Sequence, residues 1–244
     1  MRPQDIPRDF YVYDDNKYPS AAVTASVSTI TGSVEDIAHP SLTIAPEFNS
    51  TALALTVVFP FDTLIDSVVI SNTNATRMRI AQANNITVSR NTDNDPFVVI
   101  FTQPIVSRTL SIHLNAPFRP LHIGSIYAGM RTKLPRNGAT VEEGLRMFSR
   151  PARTFGGMSY GLRQKVLRTF SFQFPWVTPE DKRAIERIVA NNQNIGPHIL
   201  DPYPEARAKW PPRHVTLDDA DVSFEKRPND DFVYMAQLTW MEVA

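Results

Sequence analysis

The chain has 244 residues, with Lys+Arg and Asp+Glu balanced at 25 each, so no basic track for a phosphate backbone is expected and nucleic acid is not a partner it invites. It has no cysteine, which excludes disulfides and thiolate metal sites, and no apolar run of signal-peptide or membrane-spanning length. A hydrophobic fraction of 42% supports a packed core, while 20 prolines against 9 glycines predict stiff turns and extended connections.

Residues 1–20 are rich in Pro, Asp and Tyr and read either as an extended arm or first edge strand, or as an arm that packs on a neighbouring subunit. In the second case Tyr11, Tyr13 and Tyr18 are the candidate contacts, since tyrosine supplies interface area at low entropic cost. The arm is taken to reach residue 41, its later part small and β-branched. From Leu42 to about Lys133 the sequence becomes a series of short β-type runs: LALTVVF, LIDSVVIS, RMRIAQ, ITVSR, PFVVIFTQ, RTLSIHLN and LHIGSIYAGM. Asn/Asp/Pro/Ser clusters separate them, and no helical stripe interrupts them. That pattern predicts an antiparallel β-sandwich or jelly roll. Its order resembles the discoidin-like or carbohydrate-module-like sandwich.

Residues 134–150 read as a linker with a short helical piece around Val141–Phe148, and 151–244 as an α+β assembly domain. Within that domain, Phe170, Phe172 and Phe174 share one strand face, with Thr169, Ser171 and Gln173 on the other. Pro175 is expected to end the strand. Thr178 is a predicted N-cap, Pro179 a first-turn proline, and Ala184, Ile185, Ile188 and Val189 an apolar helical stripe. About thirteen helical residues would span about 20 Å. The C-terminal run around Val233, Met235 and Gln237 or Leu238 predicts a closing strand of open register.

Sites are sparse. Gly157-Met158-Ser159-Tyr160-Gly161 fits G-x-S-x-G, with Asp201 and His214 downstream, yet a loop precedes it and a strand follows, so the strained strand-to-helix turn of a hydrolase is not expected. No histidine pair has helical zinc spacing, and the acidic turns at Asp93–Asp95 and Asp218–Asp221 lack the spaced ligands of a calcium loop. No catalytic residue, cofactor or metal is predicted. Tyr203 and Trp210, in the proline-rich loop 202–212, are further interface candidates, Trp210 being equally readable as a lid on the small domain's core. In the sandwich, which has no Trp, Arg77, Arg79, Asn84 and Asn85 form a polar candidate sugar site.

From Leu121 onward the layout resembles virion structural proteins of tailed bacteriophages. The matching phrases are LHIGSIYAGM, with Gly124, Ile126 and Gly129, then the Gly-rich entry and strand–helix unit, then Gly196 to Pro202. The C-terminal half is similar to the small strand-and-helix domain of tail-tube and distal-tail proteins. The resemblance implies a structural, non-enzymatic role at the tail tip or baseplate, in rings of three or six subunits contacting tube, hub and fibre proteins. It also implies residence in the virion after synthesis in a bacterial cytoplasm. The other reading is a carbohydrate-binding module that recognises host surface glycans.

Overall fold

The computed structural model describes all residues except 1–8, 39–44, 83–85, 90–95, 136–139, 148–150, 154–158, 162–165, 196–197, 205–206, 208–210, 219–223, 227–233 and 243–244. The strands in chain order are β1 (Asp9–Asn16), β2 (Ala22–Ala25), β3 (Thr29–Thr31), β4 (Glu47–Phe48), β5 (Ala52–Thr73), β6 (Arg77–Ile80), β7 (Ile86–Ser89), β8 (Phe97–Asn115) and β9 (Leu121–Pro135). Then come β10 (Thr140–Met147), β11 (Pro151–Arg153), β12 (Ser159–Gly161), β13 (Val166–Val177), helix α1 (Pro179–Ile195), β14 (His198–Asp201), β15 (Arg213–Leu217), β16 (Glu225–Lys226) and β17 (Tyr234–Glu242). The chain is thus mostly antiparallel β-sheet with one α-helix among the described residues. It divides into two compact units, one of residues 11–133 and 199–212, the other of 1–10, 134–198 and 213–244.

The first unit is a sandwich made largely by one long strand pair. β5 runs for 22 residues and β8 for 19, joining four of the expected short runs into two strands. Their antiparallel register shifts between Val58 and Thr63 and again between Ile65 and Ser67. Pro60 and Pro104 sit in this irregular stretch, where a missing N–H is tolerated. Bulges of this kind let one strand pass from one layer to the other. The first part of β5 pairs with β2 and the end of β8, while β6 and β7 extend that layer. The later part of β5 pairs with the start of β8 and with β9. Between the layers lie Leu53, Leu55, Val57, Val68, Ile70, Met78, Phe97, Val99, Ile112, Leu114, Ile123 and Ile126, all buried.

β1 belongs to this unit from Tyr11 onward, pairing Tyr11, Val12 and Tyr13 with Asp201, Leu200 and Ile199 of β14. At its far end Lys17 N–H donates to the Ala128 carbonyl (2.9 Å), and the Asn16 side chain accepts from Ala128 N–H (3.1 Å). The expected arm over residues 1–41 therefore differs from what forms: residues 9–16 are an integrated strand, and β2 and β3 pair inside the sandwich unit. Local composition reads as an arm only because β1's partner, β14, lies far along the chain. Residues 199–212 likewise join the sandwich rather than the C-terminal domain.

The glycines of the LHIGSIYAGM run have a steric cause. A Cβ on Gly124 would lie 2.5 Å from Asn72 Cβ, and Asn72 itself has a left-handed φ of 49°. A Cβ on Gly129 would lie 1.9 Å from the Asp15 carbonyl oxygen, which is backbone and cannot swing away. Gly129→Ala should therefore prise β1 from β9 and cost about 1–3 kcal/mol, the usual range for overpacking. Urea unfolding measures it, and an unchanged midpoint would refute the close approach.

In the second unit the sheet order is β10-β13-β17-β15, with β16 beside β17. The alternation in β13 is as expected: Phe170, Phe172 and Phe174 are buried, Gln173 is exposed, and Thr169 and Ser171 are half-buried. β17 resolves its open register by burying Ala236, Leu238 and Trp240. Pro175 does not end β13, which continues to Val177 through a register shift against β17. The helix begins as expected, with Asp181 N–H donating to Thr178 Oγ1 (3.2 Å) and Thr178 N–H to Asp181 Oδ2 (3.1 Å). These reciprocal bonds satisfy two groups that a helix start leaves open. α1 lies against β13 and β15 and buries Ile185 and Ile188. The expected linker with a helical piece at Val141–Phe148 is instead β10, paired with β13 at eight positions from Thr140↔Gln173 to Met147↔Val166. Sheet pairing outweighs weak local helix preference there.

Candidate functional site

The feature best suited to hold a ligand is on the outer surface of the sandwich layer formed by β2, the first part of β5, the end of β8, and β6. Alternation sends Leu53, Leu55, Ile112, Leu114, Met78 and Ile80 into the core. It therefore sends Ala52, Ala54, His113, Asn115, Arg77 and Arg79 outward. Two rows cross the strands: Ala52 opposite Asn115 opposite Arg77, and Ala54 opposite His113 opposite Arg79. The alanines leave the sheet low on one side while the arginines stand up on the other. The result is an open trough of about 400 Å³, closed at its β2 end by Ser26. That volume is near the lower end for small-ligand sites. Ser26 is fixed there, since Ala54 N–H donates to its Oγ (3.0 Å) and its own N–H donates to the Ala54 carbonyl (2.9 Å).

Arg77 and Arg79, two residues apart on one strand face, place their stems about 6.7 Å apart. Both are exposed, and neither guanidinium has an ion pair or hydrogen bond among the described residues. Among those residues no carboxylate lines the trough, and no Phe, Tyr or Trp ring does. Of the four sugar-site candidates from sequence, the structure brings Arg77 and Arg79 together, while Asn84 and Asn85 lie outside the described residues. His113 and Asn115 were not singled out. The signal was present in the alternation of SIHLN, but assigning its outer face requires the register with β6.

The candidate interface residues fare differently. Tyr13 and Tyr18 are buried in their own chain, at 1% and 0% exposure, so neither ring is available to a neighbouring subunit as expected. Tyr13 meets Tyr127 edge to face at 5.3 Å. Its hydroxyl lies 3.4 Å from Asp201 Oδ2, and burial raises its pKa well above that of an ordinary phenol. Tyr18 is held well above the ordinary value by burial alone. Tyr11 is half-buried, with the Arg131 guanidinium 4.2 Å from its ring centre, and Tyr203 is also half-buried. Trp210 lies outside the described residues.

Of the hydrolase-like residues, Ser159 and His214 fall in one compact unit and Asp201 in the other. Ser159 is in β12, paired antiparallel with β11, rather than on a strand-to-helix turn. Asp201 is fully buried; its Oδ2 accepts a hydrogen bond from Arg207 Nε at 2.7 Å and forms an ion pair with the same guanidinium, 2.6 Å from Nη2. Burial raises its carboxyl pKa while Arg207 opposes the shift. Asp218 is paired with Arg146 at 2.5 Å, and Asp93–Asp95 and 219–221 lie outside the described residues. Among the described residues no three His, Asp or Glu side chains group as metal ligands. No described helix is long and apolar enough to cross a membrane.

No family model matches this sequence, and no curated protein does. Among solved structures, it is similar to chitosan-binding module 1 of a chitosanase/glucanase from Paenibacillus sp. IK-5. That match has 13% identity, 48% of this chain and 99% of the other, and a TM-score of 0.40. It is also similar to the family 32 carbohydrate-binding module of C. perfringens NanJ, solved with galactose, at 12% identity, 51% and 99% coverage and a TM-score of 0.40.

Proposed function

We propose that this chain is a non-catalytic recognition and assembly protein whose sandwich unit binds a saccharide in the trough between β5 and β6. The observation that carries this reading is the trough: an open, polar concavity on a rigid sheet, with unpaired donors and no nucleophile–base pair among the described residues that line it. Sugars are bound through many hydroxyl contacts, and a shallow sheet surface set with Arg, His and Asn offers donors for them. The test is a glycan screen of the full chain followed by calorimetry. Binding in the millimolar-to-micromolar range is expected, and its absence across neutral and acidic glycans would refute the reading.

A second role, as the tail-tip subunit that the sequence resembles, is favoured by one observation. Among the described residues β10 is an edge strand, and residues 142–146 are exposed along it, so its outer side is open to a neighbour there. Leu145 is 72% exposed and Val166 opposite its end is 48% exposed. In this role the helix-bearing unit assembles and the sandwich faces the host surface. Light scattering over a wide concentration range should give a closed ring of three or six subunits. A strict monomer, alone and with the tube and hub proteins, would overturn it.

A further inference from the structure

We infer that the ligand of the trough is an acidic saccharide, its carboxylate or phosphate group held between Arg77 and Arg79. This rests on the saccharide reading above and adds the charge class. Three observations carry it. First, the two guanidinia share one face of β6, unpaired among the described residues, in a chain whose net charge is zero. Like charges this close repel each other mildly, and an anion between them relieves that repulsion while accepting from both. Second, no acid among the described residues lines the trough, so none there competes for the arginines. Third, no described Trp, Tyr or Phe lines it either, so the trough lacks the stacking platform on which a neutral pyranose gains most of its contact area. With stacking absent, charge-assisted hydrogen bonds are the strongest interaction the site offers. His113 and Asn115, on the adjacent strand β8, supply hydrogen-bonding groups for the neighbouring hydroxyls.

The anion is a saccharide rather than a nucleic acid because the chain carries no net positive charge. A polynucleotide needs a basic track across a protein and rings on which bases stack.

The experiment is calorimetry on the full chain with trigalacturonate as the carboxylate probe, a phosphorylated trisaccharide as the phosphate probe, maltotriose as the neutral probe, and a short single-stranded oligonucleotide. Binding of at least one acidic sugar is expected, with no measurable binding of maltotriose and affinity falling as salt rises. The two acidic arms identify which anion fits. Arg77→Gln and Arg79→Gln should each weaken that binding about tenfold, and the double variant more, with unfolding midpoints unchanged. If neutral glycans bind and the variants leave them unaffected, the charge inference fails while the saccharide reading stands. If no sugar of any kind binds, both fail. If the oligonucleotide binds as tightly as the acidic sugar, the saccharide assignment is overturned.

Discussion

Phe172→Ala is expected to remove about 3–5 kcal/mol of stability from the helix-bearing unit. Phe172 is fully buried and stacks on Phe10 at a ring separation of 4.6 Å, while Trp240 meets it edge-on at 5.3 Å. Phe174 lies 6.3 Å away in the same stack. Truncation would leave a void bordered by three large rings that cannot close around it, so the cavity cost adds to the lost transfer energy. Trp176, on the same strand but 49% exposed, is the control, and alanine there should cost well under half as much. Urea unfolding followed by circular dichroism decides between them. A loss below about 1 kcal/mol for Phe172→Ala would mean that this aromatic stack is not the core of the unit.

Acidification should destabilise the protein through His198 well before most carboxylates titrate. His198 is 2% exposed, and neither ring nitrogen has a hydrogen-bond partner among the described residues. Burial lowers its pKa from 6.5 to about 4, and His214 is lowered to about 4 for the same reason. The unfolded chain therefore binds protons in the window that the folded chain refuses. The stability at stake is fully present above pH 6.5 and is lost as pH falls towards 4. For His198 the loss amounts to roughly 3 kcal/mol across that window. Unfolding free energies of wild type and His198→Leu at pH 7.5, 6, 5 and 4.5 provide the test. The variant's curve should be the flatter one, and parallel curves would show that His198 is protonated in the fold.

What the sequence made legible was local. The faces of β13, the Thr178 cap and the stripe of α1 depend on residues within one turn or one strand, and each is found where the pattern put it. The sandwich was legible as a class because alternating runs and polar turns carry it. What stayed hidden depends on partners distant in the chain. Nothing near Tyr13 announces that its hydroxyl will lie beside Asp201, 188 residues away. Nothing near Val141 reveals that a β13 edge waits for it. The trough was half-visible for the same reason: Arg77 and Arg79 alternate within one strand, but His113 and Asn115 join them only through the β6–β8 register.

The division of the chain has a consequence in time. The backbone passes between the two units after residues 10, 133, 198 and 212, so neither unit is a continuous stretch of sequence. A ribosome adds about 5–20 residues each second, so Tyr13 waits roughly 10–40 s for the strand that covers it. Phe10 waits longer still, because Trp240 is made after Phe172 and Phe174. During synthesis this protein therefore exposes its largest aromatic surfaces to the surrounding solution and to other nascent chains. Its yield in a cell should be governed by what shields those rings in the interval as much as by the stability of the finished fold.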